Sequence, residues 1–276
     1  MCVWHIDHMT QSEKAVRFRQ LHQGPAILRL ANIWDAASAR IVERAGYPAI
    51  ATGSAGVAFA LGYPDNETLP LEEMLGQVRR IARVVSVPLT VDLMAGYNDI
   101  EKTTAGLIES GGVGLNMEDF QNDALVDVPK QIEKIRLVRR TADRLGVPVV
   151  LNARCDIFLH QIGAPETRFD RTIERLSAYR DAGADCLFIP GVRDEETIGR
   201  LVQALRFPIN ILAGPGTPPA GRLQELGVAR LSVGSGPMRA TMGLMRAIAE
   251  EIRDSGGYTR MLDGAIPYPE ANQLLA

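Results

Sequence analysis

One pattern recurs eight times along this 276-residue chain: a short aliphatic run, a loop, an amphipathic segment and a glycine. That rhythm predicts an α/β fold, a closed (β/α)8 TIM barrel. The aliphatic runs are nearly continuous, as in Val147-Pro-Val-Val-Leu and Cys186-Leu-Phe-Ile, which suits parallel strands covered on both faces. The segments between them place apolar residues three and four apart and stop at glycine, as capped helices do. An open doubly wound sheet also alternates. It rarely needs eight even units, however, and no Gly-x-Gly-x-x-Gly follows the first strand.

Taken in order, residues 11–23 read as a helix with Ala15, Val16, Phe18 and Leu21 on one face, stopped by Gly24-Pro25. The first strand is 25–30 and a loop follows at 31–35. Asp35 or Ser38 starts the helix 36–45, and Gly46 closes it. Strand two is 47–54, followed by an unassigned segment 55–62 and the turn Tyr63-Pro-Asp-Asn-Glu67; the helix 70–84 leads to strand three, ending at Asp92. A loop with Gly96 and the helix 100–110 precede strand four, 112–118. Residues 120–128 are polar and read as irregular, ahead of the helix 129–145. Strands 147–154, 184–191, 207–214 and 227–234 then alternate with helices 168–182, 194–205, 218–226 and 237–254. After Gly256-Gly257 the tail ends in a short helix, 269–275. The expected organisation is a tail at 1–13, a barrel domain at 14–255 and a C-terminal extension at 256–276.

Composition narrows the partners. The chain is 46% hydrophobic and 23% charged with a net charge of −3, too small for nucleic acid or an anionic membrane as the main partner. Two tryptophans and six tyrosines make a base-stacking platform a poor expectation. No apolar run reaches the length of a bilayer span, and the N-terminus lacks the features of a signal peptide. Cys2, Cys155 and Cys186 form no Cys-x-x-Cys pair, which argues for reduced thiols and a cytoplasmic location. His5 and His8 flank Asp7 and read as part of the tail rather than as a metal site.

In a barrel of this class the chemistry lies where the strands end. Those ends supply Asn32, Trp34 and Asp35; Ser54, Ala55 and Gly56; Asp92; Asn116, Glu118 and Asp119; Asn152 and Arg154; then Pro190, Gly214 and Ser235. Carboxylates on neighbouring strands repel unless a cation or a shared proton settles the charge; the alternative is that they cap the following helices. Arg154, after Val-Leu-Asn-Ala, needs an anion facing it, either a substrate carboxylate or Glu118. Ser54-Ala-Gly56 offers backbone N–H groups to a carboxylate or enolate oxygen, or is a plain turn. Glycines at 214–216 and 234–236 suit a phosphate site or ordinary loops.

Gly53-Ser-Ala-Gly56, Leu61-Gly-Tyr-Pro-Asp65, Val91-Asp92 with Ala95-Gly-Tyr97, Asn116-Met-Glu-Asp119 and Asn152-Ala-Arg154 together resemble the isocitrate lyase / phosphoenolpyruvate mutase superfamily, over about residues 14–250. The resemblance is strongest to its short bacterial members. It implies a barrel whose last helix is exchanged between subunits of a tetramer or dimer, Mg2+ held among acids, and a small-molecule carboxylate substrate passing through a pyruvate-like enolate. Ser54, Ala55 and Gly56 match the segment that holds the substrate carboxylate, with Trp34 and Asn152 expected beside them. Asp92 and Glu118 match metal-site acids, and Asp65 an acid acting largely through metal-bound water. Arg154 matches the arginine on the developing anion, and Asn116 completes the expected catalytic set with Arg154 and Asp65.

Two departures qualify the match. The family has a second acid two residues after the first at the end of strand three, where this chain has Met94; a thioether is a poor Mg2+ ligand, so the metal is expected to be either weakened or held by Asp92 and Glu118 with extra waters. Residues 120–128 also hold no cysteine, lysine or histidine, where true isocitrate and methylisocitrate lyases carry a cysteine acid. The expectation is therefore a lyase or decarboxylase acting on a C–C bond of a small α-oxo or 2-hydroxy carboxylate. The alternatives are a relative that processes C–P bonds and a non-catalytic binding barrel.

Overall fold

The structure, a computed structural model, describes residues 9–276, so Cys2 and the His5-Ile-Asp-His8 tail lie outside the described residues. The chain opens with α1 (Gln11–Leu21), whose Thr10 and Glu13 form a reciprocal capping box. Then come β1 (Leu28–Leu30), β2 (Asn32–Ile33), α2 (Ala36–Arg44), β3 (Ile50–Thr52), α3 (Ser54–Ala60), α4 (Leu71–Ala82), β4 (Leu89–Asp92), α5 (Ile100–Glu109) and β5 (Gly114–Glu118). The second half adds β6 (Phe120–Gln121), β7 (Ala124–Leu125), α6 (Val128–Arg144), β8 (Val150–Arg154), α7 (Pro165–Asp181), β9 (Cys186–Ile189), α8 (Glu195–Leu205), β10 (Ile209–Leu212), α9 (Ala220–Glu225) and β11 (Arg230–Ser232). It closes with α10 (Gly236–Ser255), α11 (Thr259–Leu262) and α12 (Tyr268–Leu275).

The parallel sheet runs β1-β11-β10-β9-β8-β5-β4-β3-β2. β1 and β2 flank Ala31 and act as one split strand: Leu28 pairs with Arg230 on one side and Asn32 with Ala51 on the other, so the ring closes as a TIM barrel. α1 covers the N-terminal end. Phe18 lies against Gly114, where a Cβ would come within 2.8 Å of its ring, and Arg19 reaches Asp185 at 2.9 Å.

Three segments depart from the sequence expectation. Residues 55–60, which the sequence left unassigned, lie in α3, where Gly56 packs closely enough that a Cβ would stand 3.2 Å from Trp34 Cβ. Residues 120–128 are not irregular: β6 and β7 make an antiparallel hairpin whose turn residues Asn122 and Asp123 take left-handed φ of 53° and 58°, tolerable for these side chains. The loop 31–35 contains β2, paired to β3. At the other end of the chain α10 has no buried residue, leaving Met242, Leu244, Met245 and Ile252 about half exposed or more. α12 returns to α2, where Arg40 Nε donates to Leu274 O at 2.7 Å.

Candidate active site

β4, β5 and β8 lie side by side, with Asp92 opposite Asn116, Asn116 opposite Asn152 and Glu118 opposite Arg154. Because side chains alternate along a strand, Asn116 and Glu118 share one face, as do Asn152 and Arg154. Asn152 Nδ2 donates to Asn116 Oδ1 at 2.9 Å, and the buried Arg230 Nη2 donates to the same oxygen at 3.1 Å. Above this polar floor Arg154 Nη1 stands 2.7 Å from Glu118 Oε2. Its Nε and Nη2 donate to the two oxygens of Asp156 at 2.6 and 2.9 Å, a bidentate grip that fixes the guanidinium plane. Arg154 thus has protein anions in its free state, the Glu118 pairing that the sequence left open.

Helix capping does not explain the acids. α5 starts on Asp99, whose Oδ1 accepts from Lys102 N at 2.9 Å, and α6 starts on Asp127. Asp92 stays at the rim. Its Oδ2 lies 3.5 Å from the Ser54 amide and its Oδ1 3.3 Å from the Met94 amide. Met94 takes a left-handed φ of 51°, and its sulfur accepts from the Glu67 amide at 3.2 Å. The Glu67 carboxylate in turn receives the amides of Ala95 (2.9 Å) and Tyr97 (3.2 Å) and Gln121 Nε2 (2.9 Å). That one side chain ties the loop after β4 to the hairpin.

The charges are crowded. Burial, with Asp156, Asp92 and Glu67 adding repulsion, pushes the Glu118 carboxyl up to about 8 despite the opposing arginine. Burial and the Asp92 charge raise Asp65, against a Ser54 hydrogen bond and Arg154 that pull it down. Burial works against the Arg154 cation, but Glu118, Asp156 and Asp92 outweigh it and hold it above the ordinary arginine range. Asp119, the chain neighbour of Glu118, faces the other side and is fully buried, accepting from Arg175 Nε (2.7 Å), Tyr179 Oη (2.8 Å) and the Asp156 amide (2.9 Å).

Two cavities open at this rim, of about 720 and 220 Å³. Ser54, Asp65 and Arg154 line both; Glu118 lines the larger, and Ala55, Asp92 and Asn116 the smaller. Gly56 packs on Trp34, and neither Trp34 nor Asn152 lines either cavity; Asn152 is fully buried in the floor. Three residues that the sequence reading passed over belong to the site: Asp156, Glu67 and His160. Only Asp156 left a signal, as an acid two residues beyond Arg154 in a run that reads to the strand's end.

The sequence profile of the phosphoenolpyruvate phosphomutase family matches residues 18–253. An oxaloacetate decarboxylase of Rhodopseudomonas palustris (strain TIE-1) is 30% identical over 269 residues, covering 93% of this chain and 90% of that protein. Oxaloacetate acetylhydrolase in complex with the inhibitor 3,3-difluorooxalacetate superposes with a TM-score of 0.85 at 25% identity, covering 96% of this chain and 93% of that one. 2,3-Dimethylmalate lyase superposes with a TM-score of 0.83 at 25% identity, covering 95% and 94%.

Proposed function

The chain belongs to the phosphoenolpyruvate phosphomutase family, and from that premise we propose that it is a carbon–carbon lyase for a small α-oxo or 2-hydroxy dicarboxylate, with oxaloacetate the first substrate to test. The observation behind this reading is the Arg154 cradle, a guanidinium gripped by Asp156, with its Nη1 edge paired to Glu118, beside a cavity that also holds Asp65, Asp92 and Ser54. The relatives named above act on oxaloacetate or dimethylmalate, in keeping with that cavity. Isocitrate lyase chemistry does not suit the chain, whose hairpin at 120–125 carries no cysteine.

A magnesium ion fits the donors. Asp65, Asp92, Glu118 and Asp156 outnumber the Arg154 charge, and Asp65 and Glu118 are both raised by burial, with neighbouring carboxylates adding to the shift. Among the described residues no three His, Cys, Asp or Glu groups cluster as a complete metal cage. That is compatible with an ion that takes one or two carboxylates and keeps its waters. Asp92 would hold it directly, with Asp65 and Glu118 acting through water. When bound, magnesium supplies electrostatic stabilisation of the enolate charge.

The protein's own groups do the rest. A substrate carboxylate competes with Glu118 for the Nη1 edge of Arg154, while Asp156 keeps the other edge fixed. Ser54 and Ala55 receive the α-oxo acid end, and Asn116, held by Asn152 and Arg230, fixes the floor beneath it. As the C–C bond breaks, charge moves onto the three-carbon fragment beside Arg154, where a preorganised cation stabilises the transition state more than the ground state.

Pyruvate release from oxaloacetate, malates and phosphonates, together with calorimetric titration of Mg2+ and oxalate, tests the reading. Metal-dependent oxalate binding with pyruvate release from oxaloacetate supports it; release from a phosphonate alone would move the assignment to C–P chemistry. No oxalate binding at millimolar concentration would favour a binding barrel, the second reading, for which Met94 at the metal rim speaks. We further take residues 14–255 as the catalytic unit, 256–276 as an extension and the cytoplasm as the working location. The uncovered apolar face of α10 supports a homotetramer or dimer. Light scattering at micromolar concentration should return a multiple of the 30.1 kDa chain mass.

A further inference from the structure

The enolate reading assigns the rim carboxylates Asp65, Asp92 and Glu118 to the metal and leaves one step without an assigned donor. When the C–C bond of a β-keto acid breaks and CO2 leaves, the electron pair stays on the three-carbon fragment as an enolate, which becomes pyruvate only when its terminal carbon takes up a proton. Among the described residues no lysine, cysteine or tyrosine lines either cavity, and the lining holds a single imidazole, His160. Histidine is the side chain that both carries and yields a proton near neutral pH without special burial.

His160 is also held as a positioned group would be. It lies on the turn after β8, and its amide donates to Asp156 O at 3.0 Å. Its ring stacks face to face on Phe120, with centroids 3.9 Å apart and planes 14° from parallel. Its Nε2 stands 3.7 Å from Oδ2 of the same Asp156 that grips Arg154. Phe120 belongs to β6, and its neighbour Gln121 is anchored to Glu67, so the surface that carries the ring is tied to the rim of the metal-site loop. With 40% of the side chain exposed, the imidazole can exchange protons with water between turnovers.

We propose that His160, set between Phe120 and Asp156 at the mouth of the larger cavity, is the catalytic residue that protonates the enolate carbon. The imidazolium gives its proton to that carbon, the enolate electron pair forms the new C–H bond, and the neutral ring regains a proton from solvent. The inference rests on the enolate chemistry proposed above. In reverse, the same group removes a methyl proton from pyruvate, which makes the step measurable without a C–C cleavage assay.

Proton NMR of pyruvate in D2O with Mg2+ and the full-length protein reads this exchange, and calorimetric titration with oxalate reads the anion site independently. His160→Gln and His160→Phe should each lose roughly 100-fold in exchange rate while oxalate affinity stays within about twofold. The phenylalanine variant keeps the aromatic stack, so full exchange in H160F would show that packing is all the ring supplies and would overturn the proposal. Wild-type protein that binds oxalate yet exchanges no pyruvate protons would also overturn it, leaving the lyase reading standing. Wild-type protein that binds no oxalate would bring down the enolate reading itself, and this step with it.

Discussion

Glu118 and Asp119 are consecutive carboxylates that meet arginines on opposite sides of the barrel wall. Asp119 is sealed with Arg175 and Tyr179 between the sheet and α7, and all its partners are in place. Glu118 faces a cavity, shares Arg154 with Asp156, and is surrounded by Asp92 and Glu67 as well. A buried charge with a complete set of partners stabilises one conformation, whereas a crowded one is held ready for an incoming cation or anion. The pleat alone sends the two neighbours to these different fates.

The largest test of that contrast is Asp119→Ala. It strands the buried Arg175 and Tyr179 hydroxyl, and urea unfolding should show a loss of about 3–5 kcal/mol. The fraction that remains folded should bind oxalate as the wild type does. Next comes Arg154→Leu, which should lower oxaloacetate turnover by roughly 10²–10³-fold, with oxalate binding lost alongside. Oxalate binding retained in R154L would place the anion site elsewhere.

A smaller effect is set by pH. The Glu118 carboxyl ordinarily titrates near 4.5 and is raised to about 8 in the folded, metal-free protein. The folded state therefore holds a proton that the unfolded state has released, so this contribution to stability is complete below 4.5 and is lost as pH rises through 8. Asp65 and Asp156 are raised too and act in the same direction. Metal-free protein in urea should weaken from pH 5 toward pH 8, with Glu118 alone contributing at most about 1.4 kcal/mol per pH unit. Glu118→Gln should flatten the slope, and an unchanged slope would remove Glu118 as its source. The smallest change is Met94→Glu, which restores a hard ligand at the rim and should tighten Mg2+ by roughly tenfold in calorimetry. Weaker binding would mean that the Met94 contact to Glu67, rather than the missing acid, governs the site.

Much of this site could be read along the chain. Asp92, Glu118 and Arg154 each end an aliphatic run, and a barrel puts such ends at one rim, so three residues far apart in sequence were expected together. His160 and Glu67 could not be found that way. Each sits in a turn between elements, and its meaning depends on Phe120 or Ala95, residues that come close only after other strands have been laid between them. Trp34 and Asn152 show the converse: both stand at strand ends, yet one packs against Gly56 and the other turns into the floor.

By itself the sequence determined the eight-unit rhythm, the strand and helix types, the rim to which the acids and Arg154 belong, and, through its motifs, the family. Those depend on periodicity, glycine stops and residue order, which act between near neighbours. Tertiary structure decided that residues 55–60 coil into α3 and that 120–125 fold into a hairpin. It also decided that Asp156 grips Arg154, and that Glu118 rather than Asp119 faces the cavity. These outcomes turn on register and ring closure, which set the distance between residues many positions apart and so determine which charges must share a space.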